Sequence, residues 1–460
     1  MRKRVSIGLL LSFVGALALM AAGCGGGGDE GGGGGTTGGG GGGGGNVSAL
    51  PASSCAPLQY KGSGDADYLI ASDLPKQGGS RTQTVQMAKA IAYVLDQQDW
   101  KAGKFKIAYQ DCDDSTAQLG KWDADKCSAN AHAYASNSKL LGVIGTFNSG
   151  CAAIEIPVLN QAPDGGIPLL SPANTYVCLT AAAPSCDSTE PDKYYPSGNR
   201  NYLRVVANDA YQGSADAEFA KSEGVKSVYI LNDKQAYGLG VAKNFRDAAQ
   251  SLGITIAGFT AWDSKATSYT STFDKVKQTG ADAVFLGGLI CENGAQLIKD
   301  KVAVLGPNDG AVKLIAPDGF TTQATIDEAG SASAGMYMSV AGQPIDQFKG
   351  AAKEFVDGLL AGPLSGKPID PYAIYGGQAA QTMLDAIAAS DGSRSDVISK
   401  LFASDVQNGL LGTFTFNEDG DPVASAGATV AITIYKATDK LETETTIAPK
   451  QTTVDAALGK

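Results

Sequence analysis

The fold of this chain is decided by the stretch Leu140-Leu141-Gly142-Val143-Ile144-Gly145-Thr146-Phe147-Asn148-Ser149-Gly150-Cys151. Its first half is a short apolar run, which is typical of a buried parallel strand. Its second half consists of small and polar residues, and an Ala/Ile-rich helix is predicted over residues 152–159. The turn between strand and helix therefore places unpaired backbone N–H groups and the Ser149 hydroxyl at a helix N-terminus, which favours anions.

A second strand and turn follow soon afterwards. Residues Ile167–Leu170 are predicted to form the strand, and Ser171–Thr175 the turn after it. Open α/β sheets bind ligands at the C-terminal ends of their strands. We therefore expect the two turns to form neighbouring edges of one site for a small anionic group, rather than ordinary connecting turns.

Composition excludes several classes of function. The 460 residues are enough for two or three domains with sizeable cores. The formal net charge of −11 argues against a nucleic-acid partner. The single histidine, His132, lies in an Ala-rich helical run with no obvious partner nearby. We therefore predict no His-based metal site, no Ser-His-Asp triad and no cofactor.

The N-terminus has the features of an export signal. In Met1–Gly23, the basic residues Arg2–Arg4 precede the apolar segment Ile7–Met20, and small residues follow. The cysteine directly after them, Cys24, resembles the lipobox of bacterial lipoproteins, so we expect cleavage before Cys24 and acyl chains on it; an ordinary secretory signal is the alternative. Several acyl chains anchor stably. We assign residues 24–64 to the lipidated cysteine and a glycine-rich flexible tether.

The eight cysteines agree with an oxidising, extracytoplasmic setting. If Cys24 carries lipid, seven remain, so at least one thiol is free or pairs between chains. Cys178 and Cys186 flank a short loop and are expected to form a disulfide. The sequence leaves the pairing open among the others: Cys55, Cys112, Cys127, Cys151 and Cys291.

Predicted strands alternate with predicted helices along most of the chain, which indicates parallel, doubly wound sheets. The turns after these strands fall at strand C-terminal ends, so two α/β lobes are expected to face each other across a cleft. The first series of strands is predicted at 68–71, 104–109, the apolar run that begins at 140, and 167–170, and the second at 227–231, 254–259, 283–286 and 312–315.

The last part of the chain is predicted to be more helical. The helices are expected over 348–360, 372–388 and 395–402, and strands over 411–416 and 429–435. The acidic turn Asn417–Asp421 between these strands lacks the glutamate that closes a calcium loop. We interpret it as a solvated turn and predict no metal site there.

Several short motifs, in this order, resemble the branched-chain amino-acid-binding proteins of ABC transporters. They are Gly145–Ser149, Ser171–Thr175, Asp233–Gly238, Gly287-Gly288 and Pro317–Gly319. Each motif is weak alone, but the ordered set is specific, and the likeness covers roughly residues 68–435.

The resemblance implies the type I periplasmic-binding fold, an α/β fold in which two doubly wound parallel-sheet lobes are joined by a three-crossover hinge. Lobe one would comprise residues 65–206 and 342–416, and lobe two residues 207–341 and 417–460, with the C-terminal tail. The crossovers would fall near Val206–Asn208, Met338–Ala341 and Asn417–Asp421.

The resemblance also implies roles for individual residues. Ser149, the backbone of Ala173 and Thr175 would hold a ligand α-carboxylate. Asp318, on the other lobe, would take the ligand ammonium, and Tyr237 would cover the ligand. This arrangement agrees with elementary chemistry, because a zwitterion needs hydrogen-bond donors at one end and a carboxylate at the other. An apolar side-chain pocket is expected from Phe147, Tyr237, Leu289 and Ile290.

The leading hypothesis is a lipid-anchored, extracytoplasmic solute-binding protein, without catalysis, in the cell envelope. It would capture an amino acid, branched-chain or similar, by hinge closure and deliver it as a monomer to an ABC permease. A ligand-sensing receptor module of the same fold is the alternative. A hydrolase using Ser149 is disfavoured, because the chain has no Gly-x-Ser-x-Gly elbow and no histidine near that serine.

Overall fold

The computed structural model describes residues 47–366, 368–426 and 430–460. The expected signal peptide, Cys24 and the glycine-rich run lie outside the described residues. Within the described ranges, no helix combines the length and the apolar character that crossing a membrane requires.

Eighteen strands and twelve α-helices occur in the described part of the chain. The strands are β1 (Tyr68–Asp73), β2 (Lys101–Ala102), β3 (Phe105–Cys112), β4 (Ser115–Thr116), β5 (Lys121–Trp122), β6 (Leu140–Gly145), β7 (Leu169–Ser171), β8 (Tyr202–Arg204), β9 (Ser227–Asn232), β10 (Thr255–Ala261), β11 (Ala283–Gly287), β12 (Lys313–Ala316), β13 (Tyr337–Ala341), β14 (Asp405–Gly409), β15 (Gly412–Phe416), β16 (Pro422–Ala426), β17 (Ile432–Ala437) and β18 (Leu441–Ile447). The helices are α1 (Arg81–Gln97), α2 (Ala124–Ser136), α3 (Ser149–Asn160), α4 (Asp209–Ser222), α5 (Ala236–Ser251), α6 (Thr270–Thr279), α7 (Gly294–Leu305), α8 (Gln323–Ala329), α9 (Gly350–Ala361), α10 (Pro371–Ala389), α11 (Arg394–Phe402) and α12 (Gln451–Ala457).

The first sheet, the centre of lobe one, has the strand order β2-β3-β1-β6-β7-β8. Its strands are parallel, except that the short β2 runs antiparallel to β3. The apolar run that begins at Leu140 is found as the predicted buried strand, β6, and all six residues of β6 are buried. It is buried because β1 and β7 flank it and helices cover the sheet faces, which explains its continuous apolar sequence.

The second sheet, the centre of lobe two, has the order β10-β9-β11-β12-β13-β17-β18. Strands β9 to β13 pair in parallel, whereas β17 and β18 add an antiparallel edge. The two-lobe α/β prediction is therefore confirmed, but this lobe is built on a mixed sheet. Strand β18 has mostly polar residues, and its side chains lie largely in solvent, so no apolar pattern marked it in the sequence.

Helix α10 shows how local sequence places a residue at the cleft. The Asp370 side chain accepts a hydrogen bond from Tyr372 N at 3.0 Å, and Pro371 occupies the first helical position. A Cβ atom at Gly376 would lie 3.0 Å from the Met87 carbonyl oxygen, so glycine there lets α10 pack closely on α1. The cap and this close packing fix Tyr372 in the first turn of the helix.

The chain passes between the lobes three times. It leaves lobe one after β8 and returns after β13, where α10 and α11 pack on β6 and strands β14, β15 and β16 form a small separate sheet. It reaches the second sheet again between β16 and β17. Strand β16 pairs antiparallel with β15, so Asn417–Asp421 is a hairpin turn. The third passage therefore comes later than the expected position at Asn417–Asp421.

The turn Asn417–Asp421 is solvated only in part: Asn417 and Glu418 are exposed, in agreement with the prediction, whereas Asp421 is buried at the hinge. Its Oδ1 lies 2.6 Å from Nε of Arg204, which is fully buried at the end of β8. Its Oδ2 accepts a hydrogen bond from Asn208 Nδ2 at 3.1 Å. Arg204 also donates to the carbonyl of Asn174, so one ion pair ties β8, the first crossover and this turn together.

The folded body begins earlier than the expected position near Asp65. Leu50 is buried, and its N–H donates to the Gln110 side chain at 2.7 Å. Cys55 is bonded to Cys112 at the end of β3. Residues 47–64 therefore pack on the first sheet, and the assignment of all of 24–64 to a tether is wrong for this part. The segment has no strand or helix periodicity, so sequence pattern did not reveal it.

Candidate functional site

The N-terminus of α3 lies at the end of β6, as predicted, but the helix begins at Ser149 rather than at residue 152. No side chain among the described residues caps it, and its first turn holds no acidic residue. Ser149 is buried, and its Oγ accepts a weak hydrogen bond from Tyr176 N at 3.4 Å. The helix therefore presents free N–H groups and a positive dipole end, which suits a carboxylate.

The neighbouring turn after β7 is organised by Ser171. Its Oγ accepts hydrogen bonds from the N–H groups of Ala173 at 3.1 Å and Asn174 at 2.8 Å. The backbone N–H of Ala173, predicted to hold the ligand, thus already has a partner within the turn. Thr175 differs, because its hydroxyl is buried and has no hydrogen-bond partner among the described residues.

Asp209, at the first position of α4, is the acidic residue that faces Thr175 from lobe two. Its N–H donates to the Thr175 carbonyl at 2.7 Å, yet both of its fully buried carboxylate oxygens lack a hydrogen-bond partner in the described structure. Burial raises the pKa of Asp209 well above its usual value; the nearby Thr175 hydroxyl and the Arg204 charge lower it, and the charge of Asp318 raises it. The sequence did not single out Asp209, because an aspartate in a first helical turn is ordinary.

Asp318 is held by two tyrosines, one from each lobe. Tyr237 at the start of α5 donates its hydroxyl to Oδ1, and Tyr372 at the start of α10 donates to Oδ2 at 2.6 Å. Burial raises the pKa of Asp318, and the two tyrosine hydroxyls act against that rise. The Phe147 ring lies 5.8 Å from the Tyr372 ring in an edge-to-face contact. The structure thus brings the predicted residues Phe147, Tyr237 and Asp318 close to one another. The sequence analysis did not identify Tyr372, which contacts both Phe147 and Asp318.

Leu289 lies beside the Asp318 turn. Its N–H donates to Asp233 Oδ2 at 3.1 Å. A Cβ atom at Gly319 would lie 2.9 Å from Leu289 Cδ2 and 3.0 Å from Tyr237 Cε1, so only glycine fits between these side chains. The structure therefore brings Leu289 and Tyr237 together around the backbone next to Asp318, where an apolar part of a ligand would be covered.

The acidic side of the cleft is rich in buried carboxyl groups. Asp216 lies two turns after Asp209 on α4, and its pKa is also raised, by burial first and by the charges of Asp318 and Asp209. These three carboxyl groups together favour a positively charged group between the lobes. The opposite end of the candidate site, at Ser149 and Thr175 on lobe one, offers hydrogen-bond donors from backbone N–H groups and hydroxyls.

The disulfides resolve the pairing that the sequence left open. Cys178 is bonded to Cys186, the pair favoured by their spacing, and Cys127 joins α2 to Cys151 in α3. Cys291 is the free cysteine of the described residues. The acid–cysteine groups with metal-like spacing use these disulfide sulfurs, which are not available as ligands.

The chain belongs to the periplasmic binding protein family, whose model matches residues 74–433. Members of this family are solute-binding proteins that act outside the cytoplasmic membrane. The Leu/Ile/Val-binding protein homolog 1 of Brucella abortus is 25% identical over 375 residues, covering 80% of this chain and 91% of the relative.

Solved structures share the type I periplasmic-binding fold. A leucine-binding protein of Thermotoga maritima superposes with a TM-score of 0.69 at 20% identity, covering 83% of this chain and 99% of that one. A solute-binding protein of Rhodopseudomonas palustris, in complex with p-hydroxybenzoic acid, gives a TM-score of 0.67 at 14% identity, covering 83% and 97%. At these identities the similarity concerns the fold.

Proposed function

We propose that this protein captures an amino acid, of the branched-chain class or of similar size, between its two lobes and delivers it to an ABC permease. The proposal is supported by complementary groups on the two sides of the cleft, with hydrogen-bond donors on lobe one and a carboxylate on lobe two. The uncapped N-terminus of α3 and the unpaired Thr175 hydroxyl provide donors on lobe one. The buried, unpaired Asp209 carboxylate provides the acceptor on lobe two. A zwitterion satisfies both ends at once.

In this proposal the α-carboxylate lies at Ser149 and Thr175, and the ammonium lies near Asp209 and Asp318. The ligand side chain would extend toward Phe147, Tyr237 and Leu289. Because the two ends of the site belong to different lobes, a ligand bound to both favours the closed arrangement. The Brucella relative, named as a Leu/Ile/Val-binding protein homolog, supports the same ligand class.

A carboxylate without an amine is the competing ligand class, since the Rhodopseudomonas protein is described with p-hydroxybenzoic acid. The two buried acids argue against it here. An anion would add a further negative charge beside Asp209 and Asp318, whereas an ammonium offsets one of the two carboxylate charges and can donate hydrogen bonds to both groups.

The ligand is tested by purifying the full chain, denaturing it, and identifying the released small molecules by mass spectrometry. We expect an amino acid in near-stoichiometric amount. As a control, protein refolded without ligand should release none. Release of an aromatic or aliphatic acid instead would reject the amino-acid proposal.

We also propose that acyl chains on Cys24 hold the protein on the membrane, as a monomer beside its permease. The apolar segment Ile7–Met20 and the small residues before Cys24 support this. Cys24→Ser should abolish incorporation of labelled fatty acid and release the protein from membranes, with Cys291→Ser as the matched control. Labelled fatty acid on the Cys24→Ser protein would contradict the anchor.

A further inference from the structure

A short hairpin at the edge of the cleft belongs to neither of the predicted turns. Strands β4 and β5 form it, directly after β3 of the first sheet. At its base, Ser115 Oγ accepts hydrogen bonds from the N–H groups of Lys76 and Gln77, both at 3.0 Å. Lys76 and Gln77 lie in the loop after β1, so the hairpin is fixed to lobe one.

The far end of the hairpin lies between the two lobes. A Cβ atom at Gly150 would lie 2.6 Å from the Trp122 ring, so this ring rests on the first turn of α3, next to Ser149. One residue earlier, Lys121 forms an ion pair with Glu292, in the loop after β11 of lobe two. The hairpin thus contacts the carboxylate end of the candidate site and reaches across the cleft.

The ion pair is asymmetric in its exposure. The Glu292 side chain is 1% exposed, whereas that of Lys121 is 23% exposed. Asp233 lies close to Glu292 on the same lobe. Burial and the charge of Glu292 raise the pKa of Asp233 to about 7, against the lowering effect of hydrogen bonds from the Gln235 and Leu289 N–H groups and of the Lys121 charge. Lys121 therefore brings a positive charge from lobe one to two buried acids of lobe two. When the lobes separate, water must replace that contact.

We propose that hairpin β4–β5 is a clamp on the ligand cleft, in which Lys121 pairs with Glu292 when the lobes come together and so sets how long a bound ligand is retained. The inference rests on the proposed function for its ligand, but not for the contact itself. Lys121 acts through Glu292 and not on the ligand, so it is a positioning residue.

The first test measures ligand release by stopped-flow dissociation of L-leucine from the full chain. Lys121→Met leaves Glu292 buried without its cation, and loss of one partner of a buried charge pair acts mainly on the dissociation rate. We expect release to be about tenfold faster or more, by the same reasoning. The control Lys61→Met removes an exposed lysine paired with Asp96 and should leave release unchanged.

Rescue separates the clamp from a general structural effect. Lys121→Arg keeps the charge and should release ligand at nearly the wild-type rate. Adding Glu292→Gln to Lys121→Met removes the uncompensated charge and should recover part of the loss. Release from Lys121→Met at the wild-type rate, or Lys121→Arg failing as badly as Lys121→Met, would overturn the clamp.

The second test does not depend on the ligand. The contact itself joins residues 121 and 292. In the Lys121→Cys/Glu292→Cys/Cys291→Ser variant without ligand, mild oxidation should link residues 121 and 292 by a disulfide, as identified by peptide mapping; the same variant with Lys61→Cys in place of Lys121→Cys should give no such link. Absence of the 121–292 link would overturn the clamp. A link in a protein that binds no amino acid would reject the proposed function and leave the clamp standing.

Discussion

The Tyr372 hydroxyl lies 2.6 Å from Asp318 Oδ2, and this hydrogen bond joins α10 on lobe one to the turn after β12 on lobe two. Tyr237, from lobe two itself, donates to the other oxygen. Asp318 was predicted as an ammonium acceptor, but the structure adds a second role in contact between the lobes. Substitutions of residues around Asp318 can therefore test its role as ammonium acceptor and its role in the contact between the lobes.

Tyr372→Phe should weaken ligand binding while leaving the ring contact with Phe147 in place. A hydrogen bond to a charged group contributes about 1.5–3 kcal/mol, so the affinity should fall by roughly 10- to 150-fold. Calorimetric titration measures this. Tyr60→Phe is the control, because its hydroxyl donates to Ser63 O within one segment at 3.3 Å. Unchanged affinity for Tyr372→Phe would show that its bond to Asp318 does not assist closure.

Asp209→Asn should abolish most of the affinity for an amino acid without destabilising the ligand-free protein. Losing the charge partner of a buried ammonium costs on the order of 2–5 kcal/mol. The Asp209 oxygens have no partner within the described structure, so folding loses no hydrogen bond. Glu218→Gln on the same helix is the control, because Glu218 contacts α12, where it accepts hydrogen bonds from Lys450 N at 2.9 Å and Thr453 Oγ1 at 2.7 Å. Equal losses of affinity in both variants would contradict the role given to Asp209.

Affinity for an amino acid should fall as the pH is lowered. Burial raises the pKa of Asp209 and Asp318 in the folded protein, so near these raised values a carboxyl group must release its proton before it pairs with an ammonium. Titration in two buffers of different ionisation enthalpy should reveal proton release on binding, reduced in Asp209→Asn. Affinity that does not fall as the pH is lowered through the acid range would exclude these carboxyl groups as ammonium partners.

In the ligand-free protein, the contribution of these carboxyl groups to the free energy of unfolding should change with pH in the opposite direction to the ligand affinity. For these two carboxyl groups the folded pKa lies above the unfolded value of about 3.9, so the folded state binds more protons between those values. Their contribution to the free energy of unfolding therefore grows as the pH falls through the raised pKa and is lost as the pH rises. Asp209→Asn should flatten this part of the stability profile, which denaturant titration at several pH values measures.

At the hinge, substitutions of two neighbouring aspartates are expected to differ strongly in their effect on the free energy of unfolding. Asp421→Asn removes the partner of the fully buried Arg204 and should lower the free energy of unfolding by about 3–5 kcal/mol. Asp419→Asn breaks a partly exposed pair with Arg200 and should cost about 1 kcal/mol or less. Denaturant titration compares the two. Similar small losses would show that the Arg204–Asp421 pair does not hold the hinge.

The sequence was sufficient to predict an element of secondary structure where a single pattern of residues dominated. The apolar run that begins at Leu140 predicted a buried strand, and the small polar residues after it located the start of α3 within three residues. Asp318 and Tyr237 were found through ordered motifs at strand ends. The pattern of apolar residues located the strands, and the resemblance to the binding-protein family suggested which residues would bind the ligand.

The remaining site residues were hidden because their meaning depends on tertiary contacts. Tyr372 begins an apolar helix and is indistinguishable, in sequence, from an ordinary core tyrosine. Asp209 looks like any first-turn aspartate until its unpaired oxygens are seen beside Thr175. Hairpin β4–β5 has strands of two residues each, too short for any periodicity. Such features follow from the packing of one lobe on the other.

The central claim is that the cleft takes a zwitterion, with the ammonium at Asp209 and Asp318. It is tested most directly by calorimetric titration of the ligand-free full chain with L-leucine and, in parallel, with 4-methylpentanoate, which has the same carbon skeleton and carboxylate but no amine. We expect saturable 1:1 binding of L-leucine and no binding of 4-methylpentanoate at the same concentrations. Binding of 4-methylpentanoate as tightly as L-leucine would contradict it.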